Sequence, residues 1–268
     1  MAAGGRWYSK EAIPRSQEVG PSLPSTSASV RPVGLPWRLM TDLSGRVALV
    51  AGGAGAIGEG VVRAFLTLGA RVVVPSRQAE HLASLRERLG HPHGLHGLVN
   101  DIASPGGAEL LAAAVAENVG PLDAVVAAVG SWWQDGPLVE VDPSEWTRVL
   151  NANLTTHFLL ARTLVPSLRD RPNSSYQMVI GDTAESPMAG ASLSTVTAAG
   201  VLGLLRAQSV EEPTVRINGL YLGPVITRSR PKGPPEWLTA DEVGDYAAWL
   251  ATEAAADIRG QLLRPPKP

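Results

Sequence analysis

The chain has no cysteine in its 268 residues. Disulfides, thiolate catalysis and Cys-bound zinc are therefore excluded, and the redox compartment is left undetermined. Neither sign of charge is in excess: 23 Lys and Arg face 25 Asp and Glu, a formal net charge of −2. That balance gives no footing for nucleic acid or an anionic membrane. No apolar run approaches the length of a membrane span. What remains is 44% hydrophobic and 18% charged, the composition of a soluble globular protein with enough chain for one domain and a full core. The cytosol is the simplest location for such a chain.

Residues 1–40 differ from the rest. Pro14, Pro21, Pro24, Pro32 and Pro36 are mixed with Ser16, Ser22, Ser25, Ser27 and Ser29. Such a stretch cannot bury enough apolar surface to offset the entropy of ordering, so a disordered tail is expected. It lacks the apolar core of a secretory signal. Its arginines and serines point weakly to a transit peptide, and Glu11 and Glu18 point away from one. Met40 is an alternative start, because Thr41-Asp42-Leu43-Ser44-Gly45 leads straight into the first apolar run. The folded domain is expected over residues 41–268.

The strongest local signal is Val47-Ala48-Leu49-Val50-Ala51-Gly52-Gly53-Ala54-Gly55-Ala56-Ile57-Gly58. A short β-rich run ends in a glycine cluster, and a helical pattern (Val61, Val62, Ala64, Phe65, Leu68) follows at once. A strand, a tight turn and a helix start form the context in which a glycine motif indicates dinucleotide binding. The glycines let the backbone turn sharply and approach a pyrophosphate, and the first helical N–H groups face its charge. Gly52, Gly53, Gly55, Ala56, Ile57 and Gly58 are the expected cofactor-binding residues here.

Downstream, apolar β-rich runs alternate with helical patterns. Strands are expected at Arg71–Pro75, Leu95–Val99, Leu122–Val129, Gln177–Ile180 and Val215–Leu222. Helices are expected at Glu80–Leu89, Ala108–Asn118, Thr195–Ser209 and Thr239–Glu253, with one long helix over Ser144–Leu168 stopped near Pro166. The alternation predicts an α/β fold, a Rossmann-type doubly wound parallel sheet in three α/β/α layers. In such a sheet the ligand lies beyond the carboxyl ends of the strands. Those ends carry Gly52–Gly58, Ser76-Arg77, Asp101-Ile102, Ala128–Gly130, Gly181–Thr183 and Leu222–Thr227.

Together these landmarks resemble the short-chain dehydrogenase/reductase family from about Leu43 to Leu263. Leu43-Ser44-Gly45-Arg46-Val47-Ala48-Leu49-Val50 is similar to the family's opening. Gly52–Gly58 resembles its turn, with Ala51 for the common Thr and Ala56 for the middle Gly. Asn100-Asp101-Ile102 resembles the adenine-contacting segment. Asn151-Ala152-Asn153-Leu154 resembles the segment with the catalytic Asn, placed at Asn153. Arg216-Ile217-Asn218 through Gly223, Pro224 and Thr227 resembles the strand and loop over the nicotinamide. The resemblance implies a nicotinamide cofactor, with Ala128, Gly130 and Thr227 also lining its site. It also implies a homodimer or homotetramer through the helices near Asp142–Leu164 and Thr195–Ser209. An Asp or Glu after the second strand would accept from an NAD ribose, but this chain has Ser76-Arg77. Arg77 can hold a 2′-phosphate by charge-assisted hydrogen bonds, so NADP is expected over NAD.

The family also carries Tyr-x-x-x-Lys after the fifth strand, in which the Lys binds the nicotinamide ribose and lowers the Tyr pKa. Aligning Ala199–Leu204 with the stretch that follows the Lys puts Ser194 at the Tyr and Ala198 at the Lys. Residues 192–205 contain no Tyr, Lys, His, Asp or Glu. The substrate-orienting Ser has two candidate equivalents, Gly181 by spacing and Thr183 by strand register. A serine without a positioned base is a poor proton donor or acceptor. Asp182, Thr183 and Tyr221 are the remaining acid–base candidates, with Asp182 the best titratable one. Trp132 and Trp133 follow the fourth strand and are candidates for an apolar pocket wall, or for a cover over the sheet end. Three functions stay open: a divergent NADP(H) oxidoreductase with a small-molecule substrate; a non-redox isomerase, cyclase or lyase; and a catalytically silent NADP-binding or partner protein.

Overall fold

The computed structural model describes residues 42–267. The proline- and serine-rich stretch and the Met40 start lie outside the described residues. The strands are β1 (Val47–Ala51), β2 (Arg71–Ser76), β3 (Leu95–Val99), β4 (Ala124–Ala127), β5 (Ser175–Gly181), β6 (Arg216–Leu222), β7 (Val225–Ile226), β8 (Leu238–Thr239) and β9 (Leu262–Leu263). The helices are α1 (Gly58–Thr67), α2 (Ala79–Arg88), α3 (Pro105–Asn118), α4 (Pro143–Leu150), α5 (Thr156–Leu164), α6 (Ser192–Glu211) and α7 (Ala240–Leu250).

Seven strands form one parallel sheet in the order β3-β2-β1-β4-β5-β6-β9. Every residue of β1, β4 and β6 is buried. β1 and β4 are the unbroken apolar runs that a parallel sheet covered on both faces demands, and β6 also buries Arg216 and Asn218, whose side chains donate to backbone carbonyls. Alternate residues feed two cores. Ala48 and Val50 join Phe65, Val74 and Trp249 on the α1/α7 side. Val47, Leu49 and Ala51 join Leu111, Leu160 and Val201 on the α3/α5/α6 side. The strand order reverses between β1 and β4, which opens a crevice at their carboxyl ends. No helix among the described residues is long and apolar enough to cross a membrane.

Local chemistry sets the helix starts. Thr239 and Glu242 form a reciprocal capping box at α7, with Thr239 N–H to Glu242 Oε2 at 2.7 Å and Glu242 N–H to Thr239 Oγ1 at 3.1 Å. Ser104 caps α3 ahead of Pro105, and Asp142 caps α4 ahead of Pro143.

The expected single helix over 144–168 runs as four successive helical segments. Between α4 and α5 lies a π-helical turn, Asn151–Thr155, and a 3₁₀ turn at Pro166–Leu168 ends the run. Such a turn inserts an extra residue without breaking the apolar pattern, so periodicity passes over it. The Thr156 hydroxyl donates to the Asn151 carbonyl across it at 2.8 Å. The short pair β7–β8 and the edge strand β9 were also outside the expectation, because two-residue strands carry no periodic signal.

α1 and α7 cross with their backbones in contact. A Cβ on Gly60 would lie 2.1 Å from the Ala240 oxygen, and one on Gly244 would lie 2.2 Å from the Gly60 oxygen. Neither obstacle is a movable side chain. Gly244→Ala is expected to destabilise the domain by about 2–3 kcal/mol through overpacking. Gly106→Ala, where a Cβ would meet nothing within 4 Å, should leave stability unchanged or raise it by up to about 1 kcal/mol. Urea unfolding of both variants checks this, and equal effects would contradict the close crossing.

Candidate active site

The site is built outward from the turn after β1. Gly52 has φ +78°, and a Cβ there would stand 2.1 Å from the Ala128 oxygen at the end of β4. A Cβ on Gly58 would stand 2.2 Å from the Gly52 oxygen. Gly53 packs under Val62 and Val74, where a Cβ would come within 2.9 Å of both side chains. The Gly55 N–H closes the turn on the Gly52 carbonyl at 2.8 Å. These residues make the turn tight; the next two face the ligand space. Ala56 and Ile57 line the cavity, and their N–H groups have no acceptor among the described residues. Free amides at a helix start suit a phosphate.

The cavity encloses about 830 Å³ and runs along the strand ends from Ala56 and Ile57, past Ala128–Ser131, to Asp182, Thr183 and Leu222. Thr227 closes one side from the loop after β7. The neighbouring Arg228 ties that loop to the turn, through Glu59 at 3.2 Å and the Ala54 carbonyl at 3.1 Å. Ser76 and Arg77 end β2, while Asp101 and Ile102 follow β3; all four lie outside the enclosed space. Arg77 is exposed and has no partner among the described residues. Asp101 is also exposed, with Oδ1 accepting from Ala103 N–H at 3.2 Å. Ile102 is half-buried against the α3 side.

The cavity's polar side chains divide into committed and free groups. Asn153, at the π-helical turn, accepts from Ser131 N–H and donates to Ser131 C=O, both at 2.9 Å. Ser194 does the same with Trp133, accepting from its N–H at 2.9 Å and donating to its carbonyl at 2.8 Å. Thr197 donates to the Leu193 carbonyl at 2.8 Å. Asn153 and Ser194 therefore hold the segment after β4 in place with both their donor and their acceptor. Asp182 and Thr183, at the end of β5, line the cavity with side chains that have no hydrogen-bond partner among the described residues.

Of the residues expected at the substrate and acid–base positions, two are placed elsewhere. Trp133 turns away from the cavity: it is 7% exposed, packs with Val149 and Leu193, and donates Nε1–H to Glu145 at 2.9 Å. Trp132, at 55% exposure, lines the cavity, as does Met188. Tyr221 points into the α6-side core, and its hydroxyl donates to the Asp182 carbonyl at 2.7 Å. Burial raises its pKa, and the Arg264 guanidinium covers its ring at 4.1 Å. A phenol so engaged is a support beneath Asp182 and does not reach the cavity.

Among the lining residues that the sequence reading did not single out are Gln134, Met188, Thr197, Arg230 and His157. His157 on α5 reaches the cavity and is buried. Its sequence signal was its spacing from Asn153, since residues four apart share a helix face. Desolvation drives its pKa down from 6.5 to about 4, with a hydrogen bond to the Val129 backbone acting the other way.

The sheet order, the glycine turn at the reversal of strand order and the strand-end cavity define a dinucleotide-binding α/β protein. The family model described as short chain dehydrogenase matches residues 46–235, and the chain belongs to that family of oxidoreductases. It is 36% identical over 129 residues to a rhamnolipids biosynthesis 3-oxoacyl-(acyl-carrier-protein) reductase of Pseudomonas aeruginosa, covering 48% of this chain and 50% of that protein. The chain thus spans about half the length of that relative. It is 27% identical over 235 residues to a D-threitol dehydrogenase of Mycolicibacterium smegmatis, covering 81% and 90%. A short-chain type dehydrogenase/reductase from Mycobacterium ulcerans shares the fold, with a TM-score of 0.77 at 22% identity over 83% of this chain and 89% of that one.

His157 generates a prediction about stability. Its folded pKa lies below the unfolded value, so its contribution is fully present above pH 6.5 and is lost as pH falls toward 4. Between pH 7 and 5 the wild-type chain should lose about 2 kcal/mol that His157→Leu does not lose. Urea unfolding of both proteins at the two pH values checks it; parallel losses would show that the imidazole is not held neutral.

Proposed function

We propose that the protein is an NADP(H)-dependent oxidoreductase acting on a small apolar alcohol or carbonyl compound, with Asp182 and Thr183 at the reacting oxygen. The carrying observation is the division of the cavity's polar groups. The serine at the family's tyrosine position is saturated by Trp133, whereas Asp182 and Thr183 stand free at the end of β5. The free amides of Ala56 and Ile57 suit the pyrophosphate, and the unpartnered Arg77 suits a 2′-phosphate. The cofactor, when bound, supplies hydride chemistry. The chain supplies the rest: Thr183 Oγ1 hydrogen-bonds the substrate oxygen, and the Asp182 carboxylate takes the hydroxyl proton in oxidation and returns it in reduction. Trp132 and Met188 form an apolar rim for the substrate body.

The Ser194–Trp133 pairing also favours a second reading, a non-redox enzyme or a silent NADP-binding protein on the same scaffold, because the usual proton-transfer position is occupied. NADPH turnover across a carbonyl panel separates the two, provided that Asp182→Asn abolishes whatever turnover is found.

A second copy of the chain is the proposed partner, as a homodimer or homotetramer. Trp146 on α4 and Phe158 on α5 leave large apolar side chains at 38% and 45% exposure. Gly200, in contrast, packs within the subunit, where a Cβ would meet Leu154 at 2.8 Å. Phe158→Glu should shift the mass measured by light scattering toward the monomer.

Cofactor choice is tested by melting. At a hundred times its Kd, NADPH should stabilise the protein by about 2.7 kcal/mol, a rise of several degrees in Tm. Arg77→Ala should weaken NADPH binding at least about tenfold, the worth of one charge-assisted bond, and leave NADH binding nearly unchanged. Equal effects on the two cofactors would remove the 2′-phosphate role.

A further inference from the structure

Glu59, in the first turn of α1, is 7% exposed, and three arginines from three parts of the chain converge on it. Arg63, one turn further along α1, reaches Oε1 at 3.2 Å. Arg88, at the end of α2, reaches Oε2 at 2.9 Å. Arg228, in the loop after β7, reaches Oε2 at 3.2 Å with one Nη, while its other Nη donates to the Ala54 carbonyl of the glycine turn at 3.1 Å. A buried carboxylate is costly unless it is paired, so Glu59 holds these elements to itself. The Arg228 loop has need of such an anchor, because residues 228–236 are all exposed. Its far end is fixed by Lys267, which donates to the Trp237 carbonyl at 2.9 Å and pairs with Glu242 at 2.8 Å. Its near end has the two-residue strand β7 and a turn in which Thr227 and Arg230 bond each other's carbonyls at 3.0 Å. A second cavity, of about 180 Å³, shares Ala56 and Thr227 with the large one, whereas Glu59 and Arg228 line only the smaller.

We propose that Glu59 and Arg228 form a strap that fastens the loop after β7 to the glycine turn, and that this strap sets how long a ligand stays in the large cavity. The identity of that ligand rests on the NADP(H) reading above; the strap rests on the chain's own contacts. Thr227 walls the cavity from the loop, and Ala56 walls it from the glycine turn. Arg228, the next residue after Thr227, is bonded to Ala54 and Glu59, on either side of Ala56. The strap therefore joins two walls of one cavity. Every bond in it is made between groups of this chain, so fastening the loop needs no ligand atom. A ligand that leaves past Thr227 must lift the loop, and lifting breaks an ion pair and a charge-assisted hydrogen bond together. Arginine suits this position because its planar fork serves the carboxylate and the carbonyl at once, which a single ammonium does less well. Arg228 does not line the large cavity, so it is a positioning residue, and the proton chemistry stays with Asp182.

The test reads the loop and the ligand separately on the full chain. Hydrogen exchange, followed by mass spectrometry, reports the amides of residues 225–230 with no ligand added. Stopped-flow fluorescence reports the release of NADPH. Arg228→Met keeps the stem and removes both bonds, while Arg228→Lys keeps the charge. The expected result is that Arg228→Met exchanges residues 225–230 at least about fivefold faster, the worth of one ion pair and one hydrogen bond, with residues 124–127 of β4 unchanged. Arg228→Lys should fall between the two. In 1 M NaCl, where the Debye length is about 3 Å, the wild type should approach Arg228→Met, and Arg228→Met should not respond. NADPH should leave Arg228→Met about fivefold faster than the wild type. Unchanged exchange in Arg228→Met would overturn the proposal. So would a wild-type segment that is unprotected until NADPH is added, since the ligand and not the strap would then order the loop. Faster exchange with unchanged NADPH release would overturn the retention role. A wild type that binds no NADPH would remove the cofactor reading, and the exchange measurement would still decide the strap.

Discussion

At Gly52 the end of β4 comes so close to the turn after β1 that one methyl group would stand 2.1 Å from the Ala128 oxygen. Much else follows from this contact. A side chain there would push β1 and β4 apart at the point where the strand order reverses, and the crevice would lose its floor. The same turn carries the Gly52 oxygen against Gly58, which fixes where α1 begins and where its free amides face. From α1 the constraint passes to α7, whose backbone meets Gly60 directly. The ligand end of the sheet is thus held by backbone contacts, and backbone contacts do not relax by changing rotamer.

Two buried side chains, one on the π-helical turn and one on α6, shape the site. Asn153 and Ser194 each bond the N–H and the C=O of one residue in the segment after β4. Two reciprocal pairs, on Ser131 and Trp133, orient that segment: Trp133 is driven inward to Val149 and Leu193, and Trp132, between them, is left outward along the cavity. The freedom to do proton chemistry is lost at Ser194, whose hydroxyl is used as both donor and acceptor. At the end of β5, Tyr221 supports the Asp182 carbonyl from below, and the Asp182 carboxylate has no hydrogen-bond partner among the described residues.

Much of this architecture was legible in the residues. The Gly52–Gly58 spacing, the β-branched run Arg71–Pro75 and the alternation of apolar runs with helical patterns mark a doubly wound sheet and its ligand end, since each reflects a local periodicity or a backbone requirement. The division of labour within the cavity was not legible. Trp132 and Trp133 are neighbours in a loop, where no period says which points inward. Tyr221 lies at a strand end, but strand parity sends it to the core face with Ile217. His157 hides within an apolar helical run whose π-helical turn leaves the pattern unbroken.

The sequence by itself determined the class of fold, the turn chemistry, the absence of Tyr and Lys from residues 192–205 and the presence of an arginine after β2. All of these are statements about residue type and near spacing, and local sterics suffice to decide them. Only the tertiary structure decided that Ser194 is saturated by the Trp133 backbone, that Tyr221 is a support, that Asp182 and Thr183 stand free and that His157 is buried with an unpaired nitrogen. Those outcomes depend on which groups lie within 3 Å of one another after α5, α6 and the strand ends have packed. A hydrogen bond is a short-range contact between atoms far apart in the chain, and no local pattern records it.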